Sequence, residues 1–584
     1  PTRHPATESA AENVAYPRHS TPGGGYAIAT EVATFDYDEV GNLIGAHNAD
    51  ARVTRAYNVN GTPRSETQRI NTLARDDFAR HVHEVGYEYD LSGRRVEVRH
   101  PEALAPSPTQ RSTSYAYDPL TGTLASVTDA RGNRFRYGFN VRGELETLHL
   151  PGGISERYQY DADGNLSQHD VLNQSTAPYR AAAPYLRGTS FTYDLRGKLR
   201  HTRNLHGTRD TLDAWYSGLG QLIRGGTLSY SQPYGTSCTL RRRQAEQFSY
   251  DALGNRFESL ETDSTRVYSG TSTTDCSMSG VRNARRDWRY ESGTGRLALA
   301  ISQHQRDTTL YDAAGNVEFT TQAWYDPYSA SATLKDHASY YSVDGKLRAA
   351  DSRTVASANV EITPFTAVFE EYRYDALGRR VWVRARRYCE HDPERRNGEC
   401  NLDLVRRTVW DGGAELYEIQ MPGGDDSPYL ENDVGIVELP VTTENSGYNV
   451  DPNPFYGRVA YTHGLGTDRP LGVIRLGYGD LLNQSGQVVG HRTVVPFGLV
   501  PLWSARGQPD LGVFDDGATA KCEGASTTAR CVSVGWAGNW FAYARPRLRP
   551  MFWHGTLLDD KRDAAGTHYR RNRYYDPSTG RFTQ

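Results

Sequence analysis

The sequence predicts an all-β chain, a spiral of antiparallel hairpins coiled around a cavity. Three observations carry that expectation. A short unit recurs along most of the 584 residues, its turn glycines recur about every 20 residues, and the composition is too polar for a thick core yet too aromatic for a disordered chain.

The unit is aromatic-x-Tyr-Asp-x-x-Gly-x-Leu. Its clearest copies read FDYDEVGNLI (35–44), YEYDLSGRRV (87–96), YAYDPLTGTL (115–124), YQYDADGNL (158–166), FTYDLRGKL (191–199), FSYDALGNRF (248–257), TLYDAAGNV (309–317) and YRYDALGRRV (372–381). Weaker copies lie at 57–61, 137–145, 216–222, 290–297 and 341–347. Aromatics two apart, such as Tyr372 and Tyr374, share one face of a strand and can ladder with those of adjacent copies. The Asp can accept N–H groups of the turn it opens, and the Gly supplies the positive φ of a hairpin loop with a bulge. The turn pairs are Asp38 and Gly41, Asp90 and Gly93, Asp118 and Gly122, Asp161 and Gly164, Asp194 and Gly197, Asp251 and Gly254, Asp312 and Gly315, and Asp375 and Gly378.

Gly122 to Gly143 and Gly143 to Gly164 are 21 residues each, and Gly295 to Gly315 is 20. That length holds two strands of roughly 6–8 residues and two turns, half of a propeller blade. The wider gaps, 34 residues from Gly220 to Gly254 and 41 from Gly254 to Gly295, read as loop insertions. A ribbon of thirteen such hairpins twists with one hand and must coil.

Hydrophobic residues make up 37% and mean hydropathy is -0.68, while 38 Tyr, 16 Phe and 9 Trp are spread throughout, as suits a curved sheet wetted on both faces. A net charge of -4 without like-charge blocks leaves no surface for nucleic acid, and no apolar run reaches a membrane span. Only five of the 66 basic residues are lysines; the arginines either stack on the tyrosines or reflect codon usage. Residues 1–20 carry no signal-peptide pattern and the chain starts at Pro1, so an export signal is expected elsewhere. Cys238 with Cys276, Cys389 with Cys400, and Cys522 with Cys531 would close three local loops, and their spacing matches no zinc ligand set; disulfides in an oxidising compartment are the preferred reading over free thiols.

No catalytic or metal site is assigned, and no cofactor is expected. His81 and His83 with Glu84 could form half a metal site but read better as strand residues, and DADGN (161–165) is similar to a calcium loop yet lacks the distal Glu. GxSxG, P-loop and HExxH motifs are missing.

The repeats resemble the YD repeats of the RHS, Tc-toxin C-component and teneurin group. The stretch RRNRYYDPSTGRFTQ (570–584) resembles the RHS core signature at Arg573, Tyr574, Tyr575, Asp576, Pro577, Gly580, Arg581 and Phe582, and YTHGLGTDRPLGVIR (461–475) resembles the segment that precedes it. The resemblance implies a hollow shell or barrel holding a toxin encoded downstream, with the signature leading into an aspartyl autoprotease. The Asp-Pro-Gly carboxylates of that protease would lie beyond Gln584, so the chain is expected not to be an enzyme and the signature to serve as a structural turn. The expected organisation is a lead-in at 1–30, the YD shell at 31–420, a core-associated region at 421–550 whose aromatics either cap the shell or pack in further hairpins, and the signature at 551–584. The function implied is a secreted or cell-surface bacterial shell of a polymorphic toxin, its partners being its own C-terminal cargo or secretion-system components. A teneurin-like adhesion scaffold is the alternative, and a hydrolase carried on the repeats a third.

Overall fold

The computed structural model describes residues 7–15, 26–71, 82–101, 112–130, 132–151, 153–173, 185–205, 210–231, 239–269, 280–325, 332–342, 344–358, 361–389, 402–422, 449–465, 470–482 and 488–501, with the short stretches 521–522, 531–532, 550–553, 556–558, 563, 568–570, 573–576 and 581–582. Every regular element among them is a strand, so no helix there is long and apolar enough to cross a membrane.

One sheet of 32 strands runs from Thr7–Ala15 to Val488–Pro501. Each strand pairs antiparallel with the next in sequence, as when Leu145–Leu150 pairs Ile154–Tyr160, which pairs Leu166–Asn173. It continues through Asn449–His463, Pro470–Leu482 and Val488–Pro501, where no repeat is legible. The first and last strands do not pair with each other, so as a backbone ladder the sheet is open.

The turns set the register. In most YD copies the Asp side chain accepts the N–H groups two and four residues on: Asp194 Oδ1 takes Arg196 N and Lys198 N, both at 2.9 Å, whereas Asp118, in a turn one residue longer, takes those two and three on. Gly197 closes the turn at φ 72°, and the ladder slips by one residue between Thr192 and Tyr193, a bulge repeated at each YD turn. The Tyr before the Asp reaches sideways. Its hydroxyl donates to the carbonyl two residues after the preceding hairpin's turn Gly: Tyr193 to Leu166, Tyr216 to Leu199, Tyr250 to Leu222, Tyr290 to Arg256 and Tyr311 to Leu297, all at 2.7–3.0 Å.

The long gaps after Gly220 and Gly254 are largely not loop insertions, contrary to the sequence expectation. They are taken up by longer strands, Thr239–Tyr250 of 12 residues, Arg256–Ser269 of 14 and Gly280–Tyr290 of 11. Polar side chains pair across these strands, Arg242 with Asp263 and Arg285 with Glu258, so they extend without needing core. Mid-ribbon strands are half-exposed on both faces. Leu199–Asn204 buries none of its six residues and Val317–Tyr325 one of nine, so the wall there is a single sheet thick.

Cys238, Cys276 and Cys400, with Pro577 and Gly580 of the core signature and His81, lie outside the described residues, as does the side chain of Cys389. Cys522 and Cys531 stand opposite each other in a two-stranded pairing, a register that brings Cα atoms within disulfide reach. Non-reducing digestion and mass spectrometry should recover one peptide pair linking Cys522 to Cys531; two alkylatable thiols there would exclude the bridge.

Two substitutions test the turn. Tyr216→Phe deletes one hydroxyl bond and should cost about 1 kcal/mol. At Gly197→Val only Asn165 Oδ1 comes near, 3.8 Å from an added Cβ, so the cost is backbone strain, roughly 1–3 kcal/mol. Local hydrogen exchange should rise at both hairpins, more at Gly197.

Candidate functional site: the seam where the ribbon meets itself

Some 22 strands after its start the ribbon returns, and the turn ends of late hairpins lap onto one face of early strands. Asn48 Nδ2 donates to the Tyr374 carbonyl at 2.8 Å, and Gln68 bonds both backbone groups of Trp410, accepting from N at 2.9 Å and donating to O. That side-chain amide takes the place of a ladder partner. Arg95 reaches Asp411 at 2.7 Å, and His100 is held between Tyr417 Oη at 2.6 Å and Thr113 Oγ1 at 2.9 Å. The hydrophobic part of the contact joins Val85, Tyr87 and Val98 to Trp382, Val409 and Ile419. Further along, Leu471 packs with Leu124, Val127 and Phe135, and a Cβ at Gly464 would come 2.1 Å from Tyr137 Oη.

Charge is buried here in pairs. Glu66 accepts from Arg55 and Arg379, each at 2.8 Å, and Arg379 also holds Asp375 at 2.7 Å. Asp50 is paired with Arg348, with Arg373 3.6 Å away. Buried pairs of this kind add little net stability, but losing one partner strands the other, so they fix alignment.

The core signature enters at this point. Tyr574 is buried, shares a 2.6 Å hydroxyl bond with Tyr374, and packs with Tyr372 and Tyr569. Arg380 lies 4.3 Å from the Tyr569 ring centre and donates to Asp563 at 2.6 Å, and Asp563 is itself almost fully buried. Arg573, Tyr575 and Asp576 lie on the strand Arg573–Asp576 that carries Tyr574, and Arg581 and Phe582 form the strand paired with it. Sequence reading found Tyr574 through the signature and missed Asp563, which stands in no motif.

Position in the spiral decides how equal turns behave. At the exposed turns of Asp90, Asp118 and Asp194, hydrogen bonds from the N–H groups of Arg94, Thr121 and Lys198 hold the carboxyl below the ordinary aspartate value. Asp375, covered by the seam, is pushed up by burial against the pull of Arg379. Among the described residues no group of His, Cys, Asp and Glu is arranged to hold a metal.

No family model matches the chain. Over 122 residues it is 30% identical to the double-stranded DNA deaminase toxin A of Burkholderia cenocepacia (strain H111), a stretch amounting to 19% of this chain and 8% of that protein. Among solved structures it is similar to TcdB2-TccC3-TEV, at 13% identity and a TM-score of 0.32 over 95% of this chain and 33% of that one. It is also similar to the Photorhabdus luminescens Tc holotoxin pore, at 14% identity and a TM-score of 0.31, with 95% and 32% covered. The chain thus spans about a third of those solved chains and less than a tenth of the curated relative.

The seam's response to pH follows from two opposed groups. Burial lowers His100 to about 4, so acidification from 6.5 to 4 protonates the open form first and removes stability on the order of 3 kcal/mol. Burial raises Asp50 to about 6 against the pull of Arg373, and falling pH through that value neutralises the carboxyl and restores part of that stability, less than His100 removes because the Arg348 guanidinium then loses its carboxylate. His463, lowered by burial, acts with His100, and Asp375 with Asp50. The opening free energy of the seam, taken from hydrogen exchange after dividing out the intrinsic amide rate at each pH, should therefore fall only modestly between pH 6.5 and 4. With His100→Gln the seam should tighten on acidification, and with Asp50→Asn it should loosen; parallel slopes in both variants would contradict the assignment.

Proposed function

We propose that this chain is the wall of an RHS- or Tc-type β-shell that encloses a toxin polypeptide and keeps it from proteases and substrates until delivery. The observation that carries the reading is a wall one sheet thick which returns on itself and is fastened there by side chains. Such a wall cannot fill its interior with its own core, because strands like Leu199–Asn204 bury nothing. A wetted, polar surface suits an unfolded guest, since an apolar one would collapse or grip it. The stretch shared with a protein named as a toxin supports the same reading.

In this proposal the chain acts by exclusion and not by catalysis, and it works outside the cytoplasm of the bacterium that makes it. The core signature, through Tyr574 against Tyr374 and Arg380, anchors the segment nearest the guest to the wall.

The test extends the chain past Gln584 with a protease-sensitive polypeptide. The extension should resist added protease under native conditions and be cut at the rate of the free polypeptide once denaturant opens the wall. Gln68→Leu, which strands both Trp410 backbone groups, should lower the denaturant needed. Digestion of the extension at the free rate in native buffer would overturn the proposal in favour of a scaffold that presents its partners outside.

A further inference from the structure

The sequences Asp251-Ala-Leu-Gly-Asn255 and Asp375-Ala-Leu-Gly-Arg379 form the same turn with the same hydrogen bonds. Leu377 of the second is half-buried, whereas Leu253 of the first is 83% exposed. Leu253 is not isolated. Val59, Leu91, Leu120, Val141, Leu195 and Leu219 occupy equivalent turn tips and are 88–110% exposed. The tips therefore form a crest of aliphatic knobs along the rim made by the hairpins from Gly61 to Gly254.

The crest stands on a rigid base. Arg94 donates to the Gly122 carbonyl, Arg142 to that of Asp161, Arg196 to that of Gly218 and Lys198 to that of Gly220, so each of these turns is tied to the next. Ordering such a surface on binding costs little because it is already ordered.

We propose that this rim is an interface between two copies of the chain, docked rim to rim about a two-fold axis. Three features favour that occupant. Successive knobs are one hairpin apart, about 10 Å, except between Val141 and Leu195, where the intervening turn carries Ala162 and Asp163 at its tip, and the spacing leaves gaps of nearly a knob's width. A second copy supplies a row of the same pitch whose knobs enter those gaps on either side of that interruption. Seven side chains at roughly 100 Å2 each give about 700 Å2 a side, close to the 800 Å2 of a stable interface. Finally, the half-buried Leu377 shows that this turn accepts burial of its leucine without changing its hydrogen bonds. The rim carries both signs, Asp90 being paired with Arg94 and Glu144 with Arg142, so association is apolar in origin and changes little with salt.

The inference is independent of any enclosed guest. Sedimentation velocity of the 584-residue chain over a range of concentration and salt tests it. A monomer–dimer equilibrium that changes little with salt is expected, and the triple substitution Leu91→Ser, Leu120→Ser and Leu195→Ser should weaken it on the order of 100-fold while leaving thermal unfolding of the monomer unchanged. A strict monomer, an open-ended series of oligomers, or a dimer indifferent to the triple substitution would overturn it.

Discussion

A sheet one layer thick has no core to hold its strands in register, so register has to be written into every turn. In this chain the writing is done by three adjacent groups. The Asp carboxylate collects the turn N–H groups, the Gly takes the φ that other residues resist, and the bulge that follows turns the Tyr hydroxyl toward the preceding hairpin. The hydroxyl bond is the non-local member of the set. Tyr250 on Leu222 and Tyr311 on Leu297 fix where one hairpin stands relative to the last, which a turn alone cannot do. Because a repeat away from the seam is tied only to its neighbours, strands can lengthen from 6 residues at Leu199–Asn204 to 14 at Arg256–Ser269 without disturbing the others.

Nearest-neighbour ties leave open where the ribbon stops coiling, and the seam supplies that answer. It is built of groups that tolerate no slip. Gln68 fits one backbone pair on Trp410, and Glu66 is shared between an early arginine and a late one. A displacement by one residue would strand several buried charges at once, whereas an apolar seam would slide at little cost. The polar seam therefore sets the circumference, and the hydrophobic cluster around Val85, Trp382 and Ile419 supplies adhesion.

The turns were legible from the sequence because their chemistry is local: Asp, Gly and the bulge lie within seven residues, and the composition foretold a wall without a core. What the seam joins was not legible. Asn48 and Tyr374 are 326 residues apart, and nothing in the two DALG turns says that Asp375 will be buried and Asp251 only half-buried. The tyrosine was read as a rung of an aromatic ladder, since a hydroxyl aimed at a backbone carbonyl leaves no signature in residue type. Strand length was misread for a related reason. The polar Ser, Thr and Arg of 239–269 look like loop, but on a wall wetted on both faces they pair across strands as well as apolar residues do.

The same physics accounts for the choice of arginine over lysine. A wall rich in tyrosine and poor in aliphatic volume offers rings to lie on and carboxylates to bind, and a guanidinium can do both at once. Arg380 lies over Tyr569 while bonding Asp563, Arg94 over Tyr117 while bonding Asp90, and Arg95 against Tyr115 while bonding Asp411. Lys198 also lies over a ring, that of Tyr216, while bonding the Gly220 carbonyl, but it does so through one nitrogen, whereas a guanidinium can keep its face on the ring and direct several N–H groups at a carboxylate. Where the wall is single, the pairing stiffens a turn; where it doubles at the seam, the same pairing carries charge into a buried layer. The composition, the turn and the closure thus follow from one requirement, that a thin sheet be held by directed contacts because it cannot be held by a core.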